Sequence, residues 1–190
     1  LTTISYRKLT AVEINEALFT GFNRYQDVKK CWRKESGQWV LKDIAFTEQW
    51  GPEEYKLLVH CLQNTVKTGG TVFGAFQDNL LAGFCSVEGQ FFGSRNQYLQ
   101  LSSIHISYDK RGMGIGKELF TIACNKAKTM GAEKLYISAH SSQETQSFYK
   151  ALGCIEAIEY NDELVAKEPF DCQLEYGLFD SNKYLLGVIK

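Results

Sequence analysis

The spacing of apolar residues changes period repeatedly along this chain, and each change marks a new element. Residues 3–8 read as a short strand. After Thr10, a good N-cap residue, Ala11, Ile14, Leu18 and Phe22 recur at helical spacing and predict a helix. Residues 28–34 and 38–42 are short alternating runs around Glu35-Ser36-Gly37, the pattern of a β-hairpin. Pro52, Glu53 and Glu54 open a helix, which Leu58, Cys61, Leu62, Thr65 and Val66 continue until Gly69-Gly70 stops it. Strands are predicted over 71–76 and 80–88, joined by a turn at Gln77-Asp78-Asn79. A further strand over 98–107 runs through a glycine-rich turn into a helix over about 116–130, with Leu119, Ala123, Ala127 and Met130 on one stripe. Then come a strand over 134–139, a helix near 143–152, and closing strands over 155–160 and 171–178 around a polar loop. The strand-helix-strand step from 98 to 139 should make a parallel pair with a right-handed crossover. The expected fold class is α/β: one domain over 1–190, a mixed sheet flanked by helices, with an inserted hairpin near 28–42.

Composition narrows the function classes. The 190 residues suffice for one well-cored domain, which at this size buries roughly 70% of its unfolded surface without needing disulfides or metals. Apolar residues make up 44% and charged residues 23%, and there are only two prolines, which excludes a disordered or Pro-rich chain. Lys plus Arg number 21 against 22 for Asp plus Glu, so no basic excess points to nucleic acid. No apolar run approaches the ~18 residues of a membrane span, and residues 1–8 lack a signal-peptide core. Cys31, Cys61, Cys85, Cys124, Cys154 and Cys172 form no C-x-x-C pair, and His60, His105 and His140 join no metal spacing. These features lead to the expectation of reduced thiols, no metal and a cytoplasmic location. The apolar stretch 184–189 is expected to dock as a strand or at a homodimer contact.

The chemistry concentrates after the strand that ends near Ser107. Arg111-Gly112-Met113-Gly114-Ile115-Gly116-Lys117 leads straight into the amphipathic helix. Its glycines allow unusual dihedrals and close approach of backbone N–H groups, and Arg111 and Lys117 stand beside them, a setting for a diphosphate. Two other phosphate loops fail on spacing: Arg111 and Glu118 break a Walker A loop, and G-x-G-x-G is not G-x-G-x-x-G. Alone, the turn is equally readable as a ligand-free βα connection.

Arg111-x-x-Gly114-x-Gly116 after a strand, followed by Phe148-Tyr149 and Gly153 on the next helix, resembles the GCN5-related N-acetyltransferases (GNAT superfamily). The resemblance covers about residues 70–160. It implies acetyl-CoA as co-substrate, with its pyrophosphate held by Arg111 and the backbone from Gly112 through Met113, Gly114, Ile115 and Gly116 to Lys117. It implies that the preceding strand splays from its neighbour and pairs with the pantetheine arm through the backbone of Ile104 and Ile106. The Ile104 N–H would polarise the thioester carbonyl, and Tyr149 would protonate the departing thiolate, reasonable for a phenol of pKa ~10. Ser142 stands where the family often has an Asn that contacts pantetheine.

The proton acceptor is harder to find. The positions that supply a base in family members are Gln100 and Ser102 here, and neither titrates usefully. Simple alternation directs His105 to the opposite face from these two, as a packing or cofactor-side histidine, unless a bulge overturns the parity. The proton is therefore expected to leave through ordered water, with Glu88, Glu163 and Glu168 as the carboxylates to test. Residues 23–50, with Tyr25, Trp32, Trp39 and Trp50, and residues 161–170, with Asp162, Glu163 and Glu168, are expected to shape the acceptor pocket. Aromatics beside carboxylates suit a small-molecule amine. The competing readings are a peptide or protein N-acetyltransferase and a non-catalytic acyl-CoA sensor that has lost its base; a cysteine hydrolase lacks a nucleophile motif.

Overall fold

The computed structural model describes residues 3–179. The elements are β1 (Ser5–Leu9), β2 (Tyr25–Glu35), β3 (Gln38–Gln49), α1 (Pro52–Lys67), β4 (Thr71–Gln77), β5 (Leu80–Val87), β6 (Tyr98–Ile106), α2 (Ile115–Met130), β7 (Lys134–Ala139), α3 (Gln143–Ala151), β8 (Ile155–Glu156), α4 (Asp162–Lys167) and β9 (Cys172–Gly177). Seven of these strands form one mixed sheet in the order β1-β4-β5-β6-β7-β9-β8, and β2 with β3 forms a separate two-stranded ribbon. Every pairing in the large sheet is antiparallel except β6 with β7, the parallel pair expected from the sequence.

Two apolar layers cover the sheet. Leu58, Val59 and Leu62 of α1 pack with Leu9, Ile14, Phe19, Phe22 and Phe84 on one face. Ile115, Leu119, Ala123 and Ala127 of α2, with Tyr149 of α3, pack with Leu99, Leu101, Leu135 and Ile137 on the other. Close approach of α2 to the sheet depends on Gly83, where a Cβ would lie 2.7 Å from Ile106 and 3.1 Å from both Ile115 and Leu119.

Three sequence expectations change. The helix expected after Thr10 is a series of turns with one short 3-10 turn, Glu16–Phe19. Asn15 caps that turn by accepting from the Leu18 N–H, and Gly21 at φ +80° ends the helical path. Of the four residues at that spacing, Ile14 and Phe22 are buried all the same, and Phe19 joins them, so the pattern reports burial without a helix. The hairpin runs over Tyr25–Gln49, beyond the expected 28–42, and its added ends include the run Ile44-Ala45-Phe46, which does not alternate with polar residues. The expected strand over 155–160 shrinks to Ile155–Glu156, and the polar loop contains α4, whose N-terminus Asn161 caps by accepting from Glu163 and Leu164 N–H groups. The stretch 184–189 lies outside the described residues.

The feature that positions the site is a wedge in the sheet. β6 pairs with β7 only through Tyr98, Leu99 and Gln100, against Lys134, Leu135 and Tyr136. Beyond them β6 stays on β5 as far as Ile106, opposite Gly83, while β7 stays on β9 as far as Ala139, opposite Cys172. The strands part where β6 carries an extra residue: Ser103 faces Ser86 but Leu101 faces Val87, which leaves Ser102 as a bulge.

Candidate active site

The N–H groups lining the wedge follow from strand geometry. The Ser107 N–H donates to the Ala82 carbonyl of β5, so alternation directs the N–H groups of Ile104 and Ile106 the other way, into the gap. At the outer end of β6 the chain turns through Gly112 at φ +77° and Gly114 at φ +80°, the latter being the N-cap of α2. Only glycine adopts such values freely, and the space where each Cβ would point is open. The first N–H groups of α2 have no partner within the helix, and Lys110, Arg111 and Lys117 surround them. Arg111 Nη2 donates to the Tyr25 carbonyl at 2.6 Å, tying the turn to the hairpin.

The wedge opens into a cavity of about 760 Å³ that runs through the sheet from the α2 face to the α1 face. Ile104, His105, Ile106, Arg111, Gly112, Gly114, Ile115, Gly116, Lys117 and Tyr149 all meet on its wall. Two predicted site residues do not. Met113 is 49% exposed and off the wall. Ser142 is buried and occupied as the N-cap of α3: its Oγ accepts from the Thr145 N–H and from Gln26 Nε2, and donates to Thr145 Oγ1.

The bulge overturns the parity expected for His105. Leu101, Ile104 and Ile106 all pack into the α2-side core, although 101 and 104 differ by an odd number. His105 therefore lies on the α1 side, its ring 5.4 Å from Phe84 and 5.0 Å from Trp50, the same side as Gln100. Its Nδ1 accepts from Arg24 Nε at 3.1 Å, so the ring holds its proton on Nε2. Burial, and then the Arg24 and Arg111 cations, push His105 down to about 3. Below pH ~6.5 the unfolded chain binds a proton that the folded chain refuses, so stability falls as pH drops from there towards 3. The variant His105→Gln, which keeps an acceptor for Arg24, should flatten this loss. Denaturant unfolding at pH 7, 6 and 5 should give a slope shallower by up to one proton, about 1.4 kcal/mol per pH unit.

Arg24 joins the two walls. Buried just before β2, it donates from Nη2 to Gln26 and, at 3.1 Å, to Glu48 Oε2, while its guanidinium lies over Trp50. Glu48 Oε1 is 3.7 Å from His140 Nε2, and His140 Nδ1 accepts from the Ser142 N–H. Burial lowers His140 and Glu48 pulls it back up. Glu168 and Asp171 complete this acidic end of the cavity. Burial first, then Glu168, raises Asp171 to about 6. Tyr149 lies on the α2 side, 5% exposed, with its phenol raised by burial and more weakly by Cys154, Asp171 and Cys85. Burial also pushes Cys85 and Cys154 up to about 12, far from thiolate reactivity.

Of the three glutamates considered as bases, only Glu168 lines this cavity. Glu88 accepts from Thr65 and Ser102, and together with Gln100 and Glu163 it borders a second cleft of about 630 Å³. Of the four aromatics expected around the acceptor, only Trp50 lines the cavity; Trp39 fastens the hairpin to β8 by donating to Glu156 at 3.0 Å. Arg24, Glu48, His140 and Asp171 escaped sequence reasoning. His140 had one usable signal, its place just past the end of a parallel strand, where α/β sheets bind ligands. The others come together only through tertiary folding. Among the described residues no group of His, Cys, Asp and Glu is arranged to hold a metal, and no helix is long and apolar enough to cross a membrane.

Comparison with known proteins agrees with this geometry. No curated protein matches the chain significantly. Among solved structures, a putative streptothricin acetyltransferase from Bacillus anthracis str. Ames, in complex with acetyl coenzyme A, is similar at TM-score 0.70 and 14% identity, over 94% of this chain and 99% of that one. A nourseothricin acetyltransferase gives 0.61 and 16%, over 92% and 96%. The PaiA N-acetyltransferase from Thermoplasma acidophilum, in complex with coenzyme A, gives 0.57 and 15%, over 92% and 99%. The model of the acetyltransferase (GNAT) family matches residues 26–154, a span holding the hairpin, the wedge, the glycine turn and Tyr149. With that match over more than half its length, the chain belongs to the acetyltransferase (GNAT) family.

Proposed function

We propose that this enzyme transfers the acetyl group of acetyl-CoA directly to a primary amine of a cationic small molecule. The observation that carries the reading is that one cavity is lined by both signs of charge. Lys110, Arg111 and Lys117 line it at the glycine turn, Glu48, Glu168 and Asp171 line it at the end of the hairpin and before β9, and Ile104, Ile106 and Phe148 add apolar wall. An anionic donor and a cationic acceptor would each find complementary charge on that wall.

The chain's own residues fit coenzyme A: open space faces Gly112 and Gly114, cations flank unpaired helix N–H groups, and two strand N–H groups point into the gap. Acetyl-CoA supplies the activated thioester. The Ile104 N–H would hold the carbonyl oxygen and stabilise the charge that develops there. Tyr149, kept protonated by its burial, would give its proton to the departing sulfur. Arg24 and Trp50 would close the acceptor side against water. Holding amine and carbonyl together removes much of the entropic barrier, so no acyl-enzyme is needed.

A panel of polyamines, aminoglycosides, amino acids and N-terminal peptides, each with acetyl-CoA, tests the reading through free-thiol release and product mass. Turnover is expected with small cationic amines. Turnover of peptides alone would replace the acceptor class, and silence across the panel with tight coenzyme A binding would favour a sensor.

A further inference from the structure

We infer that Asp171 is the proton acceptor of the transfer, held in place by a buried hydrogen-bond chain that crosses the last strands of the sheet. The inference deepens the proposed amine acetylation and rests on it.

The placement comes from strand register. Had β6 and β7 continued to pair beyond Gln100 and Tyr136, Ser138 would face Ser102 and His140 would face Ile104 across the gap. Ser138 donates to Asp171 Oδ2 at 3.3 Å, which fixes the carboxylate on the β7 wall at the level of the bulge, two residues short of Ile104. The bond is the last in a chain whose donors all point one way. The Asn161 N–H donates to the Tyr136 hydroxyl at 2.9 Å, which donates to Gln173 Oε1 at 2.6 Å. Gln173 Nε2 donates to Ser138 Oγ at 3.0 Å, and Ser138 donates to Asp171. Tyr136 and Gln173 are buried, so this order is built into the core. Asp171 Oδ1 makes no hydrogen bond among the described residues, and the side chain lines the cavity.

The surroundings suit a base better than the other carboxylates nearby. Glu48 is already engaged in an ion pair with Arg24 at 3.1 Å. Asp171 instead faces two like charges, Glu168 after α4 and Glu48 on β3, with the Tyr149 phenol beyond and His140 beside Glu48. Its carboxyl sits near 6, against an ordinary value of 3.8, yet it is ionised at neutral pH. In the reaction the acceptor ammonium gives one proton to Asp171, its nitrogen forms the new C–N bond, and the C–S bond breaks. The nitrogen's second proton passes to solvent as the amide forms, Tyr149 protonates the thiolate and is reprotonated from solvent, and Asp171 returns its proton to solvent, so one proton is released net. Asp171 and the acid Tyr149 thus bracket the reacting centre.

The test is the acid limb of kcat/KM against pH for four proteins, with an amine the panel shows to be turned over. The wild type should inflect near pH 6. Asp171→Asn should lose the limb and about 10²-fold of kcat/KM above it, with acetyl-CoA affinity unchanged. Ser138→Ala removes a bond that lowers the Asp171 pKa, so its limb should move to higher pH. Glu168→Gln removes a repelling charge, so its limb should move to lower pH. If Asp171→Asn does not fold, the opposed shifts of the other two decide. Wild-type rates in Asp171→Asn, or one unmoved limb in the two neighbours' variants, would overturn the inference. If no amine is turned over, the acceptor reading fails, and the same variants are read in acceptor-free acetyl-CoA hydrolysis. There Asp171 would take the proton of the attacking water, and an identical pH response in all four proteins would overturn the role independently.

Discussion

Replacing Tyr149 with Phe should lower kcat by about 10²-fold or more while leaving acetyl-CoA affinity nearly unchanged. The ring packs in the α2-side core, 5.2 Å from Phe148 and 6.3 Å from Phe120, and phenylalanine keeps those contacts. Only the hydroxyl is lost. Its proton is held firmly by burial, so Tyr149 is a donor at every working pH and would not contribute an acid limb to the rate profile. Rapid-mixing measurement of kcat with a parallel coenzyme A titration separates the roles. A mutant with wild-type kcat would leave the tyrosine as a packing residue.

Coenzyme A affinity should fall at least ~10-fold, about 1.4 kcal/mol, when the 111–117 turn is altered. Arg111→Ala and Gly114→Val probe it differently. Arg111→Ala removes a cation beside the open N–H groups, together with the bond to the Tyr25 carbonyl that fastens the hairpin. Gly114→Val fills open space, but it also forces a β-branched residue to φ +80°, so it costs stability as well as affinity. Calorimetric titration of both variants, with thermal unfolding alongside, tells the effects apart. Unchanged affinity in both would remove the diphosphate from this turn.

Much of this arrangement was legible in the sequence, and the illegible parts share a cause. The parallel β6-α2-β7 step, the glycine turn and α3 were readable because local periodicity and glycine positions encode them directly. The segment after Thr10 misleads because Ile14 and Phe22, eight residues apart, bury without a helix, a tertiary outcome that mimics helical spacing. Simple alternation puts His105 on the wrong face because one extra residue, Ser102, inverts every side chain beyond it, the one circumstance that overturns the parity, and no residue type announces that bulge. Arg24, Glu48 and Asp171 lie at the ends of a hairpin and of a late strand, far apart in sequence. Their convergence depends on how the hairpin seats against Ser141, whose carbonyl accepts from the Trp32 N–H at 2.8 Å.

If one cavity holds donor and acceptor together for direct transfer, an initial-velocity grid of acetyl-CoA against several fixed acceptor concentrations, extended to the first turnover without acceptor, will show it. Intersecting reciprocal lines and no burst of free thiol in the absence of acceptor are expected, in keeping with Cys85 and Cys154 held as thiols near 12. Parallel lines, with a stoichiometric thiol burst and an acetylated protein, would instead mean transfer through an acyl-enzyme.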